Sequence, residues 1–127
     1  MAALHLQFAK KLSQETKFTS KAKTKPTPNY TLERKDRGRD IKGGGLAFLI
    51  HESVPYQKVS SPPTLAGDKH LEELTIEITN NTEPVNIRNI YIPPASSCDP
   101  GYVAPISKLC DGLARDSLIL GDLNAHH

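Results

Sequence analysis

A carboxylate, a carboxamide and two imidazoles are crowded near the carboxyl end of the sequence. They belong to Asp122, Asn124, His126 and His127, and they follow the short apolar run Leu118–Leu120 and one glycine. Such a run predicts a buried strand, and strand ends at the rim of an α/β sheet are where ligands and reactive groups collect. Oxygen-rich side chains in that position suit a hard cation and a phosphate. The competing interpretation is structural, with the motif serving as a polar Gly-Asp turn after a strand.

Glu15 and Tyr91 also stand where predicted elements begin or end. Glu15 follows a weakly apolar opening segment, and Tyr91 lies in Asn-Ile-Tyr-Ile-Pro-Pro, next to a predicted strand terminus. Each has an ordinary explanation by itself, because surface acids and aromatic side chains at sheet edges are common, and Asn124 alone would read as a turn former. A functional interpretation therefore depends on Glu15, Tyr91, Asp122 and Asn124 occurring together.

The adjacent histidines raise the question of a zinc site. No Cys or further His is spaced to complete the four ligands that a structural zinc ion requires. We therefore assign His126 and His127 to the rim of the predicted site, without a specific role.

The strands that must position these residues can be read from apolar patterning. Tyr30–Arg34 alternates weakly, and Leu46–Ile50 is apolar on both faces, which predicts a central strand. Leu74–Thr79 alternates between apolar and polar residues, so we expect a half-buried strand with one wet face. Val85–Ile92 predicts a second strand after a hairpin turn, and its shifted phase indicates either a bulge or burial on both faces.

A turn and a helix complete the predicted architecture. Gly43–Gly45 reads as a turn rather than a phosphate-binding loop, because neither a Lys-Ser/Thr pair nor a helix follows it. In Tyr102–Ala114 apolar residues recur at three- and four-residue steps, which predicts an amphipathic helix with Cys110 as a buried, reduced thiol. The order strand, hairpin, helix, strand predicts a mixed sheet with helices packed against it, in the α/β class.

Composition favours a small soluble protein. The 127 residues fit one modest domain, and 37% of them are hydrophobic, which allows a core. Two cysteines are too few for a disulfide framework. No apolar run approaches the roughly 20 residues that cross a bilayer, and no signal-peptide pattern opens the chain. We therefore expect an intracellular protein that is neither membrane-bound nor secreted.

Charge is distributed unevenly along the chain. Residues 1–42 carry a net charge of +7 and the remainder −5, which together give the formal +2. The basic front, as we call it, comprises Lys21, Lys23, Lys25, Arg34, Lys35, Arg37 and Arg39. It predicts contact with a phosphate backbone, and the alternative is an ordinary solvated surface.

Taken in order, four segments of the chain resemble the endonuclease/exonuclease/phosphatase superfamily. They are Gln-Glu-Thr-Lys, Gly-Gly-Gly-Leu-Ala-Phe-Leu-Ile, Asn-Ile-Tyr-Ile-Pro-Pro and Leu-Ile-Leu-Gly-Asp-Leu-Asn-Ala-His-His. The likeness is to the apurinic-type endonuclease domain of jockey-like non-LTR retrotransposons, and it runs from about Leu12 to His127. It implies a four-layered α/β sandwich, with two mixed sheets face to face and helices outside. It also implies nicking of target DNA by phosphodiester hydrolysis that depends on Mg²⁺ or Mn²⁺, in an element that carries a reverse transcriptase.

The resemblance assigns a role to each candidate residue. Glu15 matches a metal-binding glutamate, and Tyr91 matches a tyrosine that approaches the scissile phosphate. Asp122 matches the aspartate that orients or activates the attacking water, and Asn124 the asparagine that hydrogen-bonds the phosphate. These roles agree with the chemistry, because Mg²⁺ needs only one or two carboxylates besides waters and the phosphate. A free carboxylate is a weak base at neutral pH, so Asp122 requires positioning by its neighbours.

The chain departs from the family's pattern at both ends. The family opens with a strand that carries an asparagine at the metal rim, and it closes with strands that lead to a Ser-Asp-His segment supplying the catalytic histidine. Neither is recognisable here, so we expect a partial sandwich with weak or no nuclease activity, acting in the nucleus if it acts. A non-catalytic DNA-binding remnant is the alternative. A phosphoinositide or sphingomyelin phosphodiesterase fits less well, given the Asn-Ala-His-His ending and the Tyr-x-Pro-Pro segment.

Overall fold

A computed structural model of the chain describes residues 28–35, 45–79 and 82–124, and residues 4–7 for the backbone alone. The described residues form two sheets with little helix. By its internal contacts the chain divides into two compact units, Met1–Pro55 and Tyr56–His127. Within the described part, no helix is long and apolar enough to span a membrane.

The first unit contains an antiparallel sheet of three strands in the order β1-β3-β2. They are β1 (Leu4–Gln7), β2 (Tyr30–Lys35) and β3 (Leu46–His51). The predicted strands at Tyr30–Arg34 and Leu46–Ile50 are both confirmed, and β3 is central, as its apolar residues on both faces indicated. Phe48 and Ile50 have no exposed surface. Gly45 enters β3 with φ of 108°, a backbone conformation that favours glycine.

The second unit contains four strands in the order β4-β5-β6-β7. They are β4 (Tyr56–Val59), β5 (Glu72–Ile78), β6 (Val85–Tyr91) and β7 (Asp116–Asp122). Strands β4, β5 and β6 run antiparallel in sequence order, whereas β7 returns to lie parallel to β6. A single-turn helix, α1 (Pro63–Ala66), begins with a proline in its first turn and lies between β4 and β5.

The phase shift noticed in β6 reflects burial on both faces rather than a bulge. Its register with β5 is unbroken from Val85 to Tyr91. Five consecutive residues inside the strand, from Asn86 to Ile90, are buried. A strand that is covered on both faces loses the alternation of polar and apolar residues that a half-exposed strand shows.

The predicted wet face of β5 is wrong at Thr75, whereas Glu77 is half-buried and Thr79 is exposed. Glu73 and Thr75 point to the same side of the sheet, yet only 2% and 0% of their surface is exposed. Arg88, which lies directly opposite Thr75 on β6, is also fully buried, and its Nε donates to Thr75 Oγ1 (2.8 Å) and to Glu73 Oε2 (3.2 Å). The hydroxyls of Ser61 and Thr75 donate to the two oxygens of the same carboxylate. Opposite charges and hydrogen bonds therefore let polar residues occupy a covered face.

The amphipathic helix predicted over Tyr102–Ala114 is also wrong. The β6–β7 connection instead holds two short 3-10 helices, Ala95–Ser97 and Ile106–Lys108, and turns. Val103 and Ile106 are 82% and 56% exposed, and Cys110, expected to be a buried thiol, is an exposed free cysteine.

Tertiary contacts explain why the apolar periodicity failed to produce a helix. The carbonyl groups of Leu109 and Asp111, which a continuing helix would use internally, accept hydrogen bonds from Arg88 Nη1 at 2.7 and 2.8 Å. Gly112 then takes φ of 76°, a left-handed conformation that ends any helical continuation. The segment contributes Leu109 to a small core with Leu65, Leu71, Ile90 and Ile92.

Strand β7 forms where Leu118–Leu120 predicted one, but it is not fully buried. It lies at the end of the strand order, and Leu118 is 53% exposed while Ile119 and Leu120 are half-buried. The two sheets that the resemblance implies are therefore present, but only the second is mixed, because the described strands of the first are all antiparallel. Flanking helices are not found: the described part contains α1 and the two 3-10 helices.

Candidate active site at the ends of β6 and β7

Tyr91 and Asp122 lie side by side at the carboxyl ends of β6 and β7, in the second sheet. They are register partners on the parallel strands β6 and β7, so both strands end at the same end of the sheet and both side chains point to the same face. The N–H of Ile92 donates to the carbonyl of Asp122 (2.9 Å), which extends the pairing one residue beyond Tyr91. Tyr91 is half-buried and Asp122 is exposed. The carboxylate of Asp122 is therefore accessible beside the half-buried Tyr91.

Asn124 joins the two strand ends through its side chain. Its Nδ2 donates to the carbonyl of Ile92 (2.8 Å), and its backbone N–H donates to Asp122 Oδ1 (3.0 Å). The second bond closes a turn of the type that Asp side chains form with the backbone two residues on, and Asn124 takes φ of 45°, which Asn tolerates better than most residues. The Gly-Asp-x-Asn motif therefore forms the polar turn after a strand that the structural interpretation predicts. The same turn also brings its polar side chains together.

The glycine of the motif is required by the approach of the two strands. Gly121 has φ of 147°, and a Cβ atom on it would lie 1.8 Å from the carbonyl oxygen of Ile90. No side chain can be accommodated at that distance, so the tight pairing that sets Asp122 beside Tyr91 depends on glycine.

Three of the predicted site residues are therefore brought together, although more than thirty positions of sequence separate Tyr91 from Asn124. Glu15, His126 and His127 lie outside the described residues, so their assignment to this site stays a prediction. Of the basic front, the described residues are Arg34 and Lys35, on β2 of the first unit, and both take part in further interactions.

Sequence reasoning missed a second carboxylate at the same end of the sheet. Glu72 is the register partner of Tyr91 on β5, so the three side chains of Glu72, Tyr91 and Asp122 form one row across three strands on a single face. Neighbouring strands are about 4.8 Å apart, so the two carboxylates flank the phenol at roughly twice that spacing. Nothing local in Leu-Glu-Glu-Leu distinguishes Glu72 from Glu73, because only the register reveals which of them reaches this row.

The described carboxylates at the ends of these strands do not form a closed metal centre. Among the described residues, no three His, Cys, Asp or Glu side chains are grouped so that they could hold a metal ion. Mg²⁺ keeps most of its waters and uses one or two carboxylates together with substrate oxygens, so the exposed carboxylate of Asp122 is a suitable ligand or neighbour. Glu72 lies in the same row, and Glu15 is the residue predicted to complete the set.

A cavity of about 520 Å³ adjoins the end of β7. Leu123 and Asn124 line one side of it, Ile92 and Pro93 continue from β6, and the rest of the wall comes from the connection between the strands, including Cys98, Asp99, Tyr102 and Ala104. Its volume lies within the range of small-molecule sites, and its lining is mostly apolar with a few polar groups, as in such sites.

The wall of this cavity is fixed by a hydrogen-bonded cluster around Asp68. Asp68 Oδ1 accepts bonds from the N–H groups of His70 (2.9 Å) and Leu71 (2.7 Å) and from the hydroxyl of Tyr102 (2.8 Å). Burial disfavours the charged carboxylate, but these bonds outweigh it, so the pKa of Asp68 is lowered. Burial, and then the bond to Asp68, raises the pKa of Tyr102.

His70 connects the cluster to Asp99, another residue of the cavity wall. Its ring meets that of Tyr102 edge to face with centroids 4.7 Å apart, and its Nε2 accepts the N–H of Asp99 (3.1 Å). A hydrogen bond from the ammonium group of Lys69 (2.5 Å) lowers the pKa of the exposed Asp99. The cavity wall therefore includes a carboxylate whose charge is offset by Lys69.

Comparison with known proteins gives no family for the chain: no protein-family model, no curated protein and no solved structure matches it.

Proposed function

We propose that the chain is an endonuclease domain of the retrotransposon type, in the endonuclease/exonuclease/phosphatase superfamily, which acts on DNA phosphodiesters with Mg²⁺ or Mn²⁺. Its two sheets would then be part of the four-layered sandwich of that superfamily, and it would act in the nucleus. The observation that carries the proposal is the row formed by Tyr91 and Asp122 at the ends of parallel strands, with the carboxamide of Asn124 bonded across them.

The chemistry assigned to these residues is hydrolysis. A water oxygen bonds to phosphorus, the bond from phosphorus to the leaving oxygen breaks, and the proton lost by the water passes to a base. Asp122 is the group that orients this water, since its carboxylate is exposed and its Oδ1 is held by the backbone of Asn124. A bound divalent cation, for which Glu15 is the predicted ligand, would offset the charge that builds on the phosphate.

Tyr91 and Asn124 have binding roles in the same proposal. The phenol of Tyr91 lies next to Asp122, and a hydroxyl there can donate to a phosphate oxygen. The carboxamide of Asn124 uses one N–H on Ile92 and has a second to donate. Tyr91 is positioned by strand pairing and Asn124 by its hydrogen bonds to Asp122 and Ile92, which lowers the cost of orienting them.

Metal binding tests the proposal without requiring a fast enzyme. We expect Mn²⁺ to broaden the NMR resonances of residues around Tyr91 and Asp122, because a paramagnetic ion relaxes nearby nuclei. Asp122→Asn should weaken the broadening, because it removes a carboxylate next to the ion whose predicted ligand is Glu15. Asp116→Asn is the matched control, since it removes an exposed carboxylate from the opposite end of the same strand. Equal broadening in Asp122→Asn and Asp116→Asn, or no broadening near Tyr91 in the unmodified chain, would contradict a metal site at the ends of β6 and β7.

DNA binding and cleavage complete the test. Duplex binding should weaken steeply with salt, because released counterions drive association of a basic surface with DNA. Nicking of supercoiled plasmid is expected to be weak or absent, and any that occurs should require Mg²⁺ and disappear in Glu15→Ala and in Asp122→Asn while Asp116→Asn retains it. Strong nicking by the unmodified chain would contradict the expected loss of activity.

The second candidate function is a DNA-binding remnant without catalysis. It is favoured by the turn after β7, in which Asp122 Oδ1 and one N–H of the Asn124 amide are already engaged within the protein. Salt-sensitive DNA binding without Mn²⁺ broadening near Tyr91 and Asp122 is the result that would favour this second candidate.

A further inference from the structure

A buried polar layer lies beneath the β6–β7 connection, on the face of the sheet opposite to Tyr91. Successive side chains of a strand point to opposite faces, so Asn86 and Arg88 share a face that Tyr91 does not. Asn86 is 3% exposed and Arg88 is 0% exposed. Buried polar groups in folded proteins are hydrogen-bonded, so each nitrogen of these two side chains requires an acceptor.

The guanidinium of Arg88 has acceptors for two of its three nitrogens. Nε donates to the side chains of Glu73 and Thr75. Nη1 donates to the backbone carbonyls of Leu109 and Asp111. Nη2 is buried and has no hydrogen-bond partner among the described residues. Because arginine stays protonated in proteins, the N–H groups of Nη2 remain donors that need an acceptor.

The carboxamide of Asn86 holds a second donor of this kind. Its Oδ1 accepts the backbone N–H of Ala114 at 2.6 Å. This bond fixes the orientation of the amide, because the reverse orientation would set one donor against another. Nδ2 is buried as well, and no group in the described part of the chain accepts from it. A buried donor without an acceptor loses its hydration with nothing in return, so an acceptor is expected at both nitrogens.

Both donors lie under the same segment of the connection. Arg88 is bonded to residues 109 and 111, and Asn86 is bonded to residue 114. Two residues apart on a strand, their Cα atoms are separated by about 7 Å. A single oxygen that accepts two hydrogen bonds of about 2.9 Å can join nitrogens that lie about 5 Å apart. One acceptor can therefore serve both side chains.

Charge distinguishes water from an anion as this acceptor. The positive charge of Arg88 is already balanced by Glu73, whose Oε2 lies 3.2 Å from Nε. Glu77 is the register partner of Asn86 on β5, so its half-buried side chain points to the same face. An anion would add a third negative charge to this buried layer, where charge is costly unless it is paired. A water molecule adds none.

We propose that one buried water molecule accepts hydrogen bonds from Arg88 Nη2 and Asn86 Nδ2 and joins β6 to the β6–β7 connection. Buried waters make about three hydrogen bonds to polar groups that the protein leaves unsatisfied, and two such groups are present here. The inference does not depend on the proposed nuclease function, because these side chains lie on the other face of the sheet from Tyr91.

NMR cross-relaxation between water and the isotopically labelled full chain tests the proposal. The sign of the nuclear Overhauser effect distinguishes water that tumbles with the protein from surface water, and rotating-frame spectra separate it from proton exchange. The protons on Arg88 Nη2 and on Asn86 Nδ2 should both show the sign of bound water. The side chain of Arg115, which is exposed, should not. Absence of bound water at either buried group would overturn the proposal.

A pair of variants tests whether the two donors share one water. Asn86→Leu keeps the shape of the side chain but sets a methyl group in place of Nδ2, so the bound-water signal at Arg88 Nη2 should be lost. Asn89→Leu is the matched control, since it makes the same change on the opposite face of the same strand, and it should preserve the signal. A signal retained in Asn86→Leu, or lost in both variants, would overturn the shared site.

Exchange of the salt distinguishes water from an anion. The chemical shifts of the Arg88 guanidinium in the unmodified chain should be the same in sodium chloride and in sodium glutamate of equal ionic strength. Shifts that depend on the chloride concentration would identify an anion as the acceptor and would overturn the assignment to water.

Discussion

Replacing Arg88 with methionine should destabilise the second sheet more than any surface substitution. The guanidinium is fully buried, and it bonds to the Glu73 carboxylate, the Thr75 hydroxyl and the carbonyls of Leu109 and Asp111. Methionine replaces the aliphatic part of the arginine side chain but has no charge and no N–H, so the variant leaves a buried carboxylate without its cation and two carbonyls without their donor. Breaking a buried ion pair by removing one partner costs about 3–5 kcal/mol.

That cost is a large part of the total stability of a small domain, which is about 5–15 kcal/mol. We therefore expect Arg88→Met to lower the free energy of unfolding by about 4 kcal/mol, measured by urea denaturation followed by far-UV circular dichroism. A second substitution, Glu73→Gln, removes the stranded charge and keeps the shape of the side chain. Adding it to Arg88→Met should recover about half of the loss, because the largest contribution is the unpaired carboxylate rather than the missing contacts.

The control is Arg115→Met, which removes an exposed arginine just before β7 and should change the free energy of unfolding by no more than about 0.5 kcal/mol. The reasoning would be refuted if Arg88→Met cost as little as the control. It would also be refuted if the effects of Arg88→Met and Glu73→Gln were additive, since additive effects mean that the two groups do not interact.

Two further predictions concern the turn glycine and the cavity wall. Gly121→Ala should lower the free energy of unfolding by about 3 kcal/mol or more, since the new Cβ meets the Ile90 carbonyl at 1.8 Å. Gly101→Ala, with φ of 81° and open space around it, should cost only the backbone strain of about 1–2 kcal/mol. Urea denaturation of both variants tests this, and equal losses of unfolding free energy would contradict it. Because the pKa of Asp68 is lowered from 3.8, its contribution to stability should be fully present above that pH and lost as the pH falls through the depressed value. Asp68→Asn should flatten the pH dependence of the unfolding free energy below pH 3.8, and an unchanged acid dependence would show that Asp68 is not its source.

The location of the strands was largely predictable because it depends on local patterning. Leu46–Ile50 and Val85–Ile92 are dense in β-branched and large apolar residues bounded by turn-forming sequence, and both became strands. The turn chemistry of Gly-Asp-x-Asn was likewise visible, because an aspartate side chain reaches backbone only two residues away. Such interactions need no partner from elsewhere in the chain.

The helix predicted over Tyr102–Ala114 shows where local patterning fails. Its apolar spacing suits a helix, but the backbone carbonyls of that segment bind Arg88, which comes from a strand about twenty residues earlier. Helix preferences amount to fractions of a kilocalorie per residue, so a charged hydrogen bond to a buried guanidinium overrides them.

By itself the sequence determined five of the seven described strands, which are β2, β3, β5, β6 and β7, and it determined that Tyr91, Asp122 and Asn124 stand at strand ends. Only the tertiary structure decided that β6 and β7 are parallel neighbours, that Glu72 shares a row with Tyr91 while Glu73 is buried against Arg88, and that Leu118 lies at an exposed edge. The physical reason is that strand formation and turns are governed by residues close in sequence. Register, burial and charge pairing depend on what packs against each face, and those partners are distant in sequence.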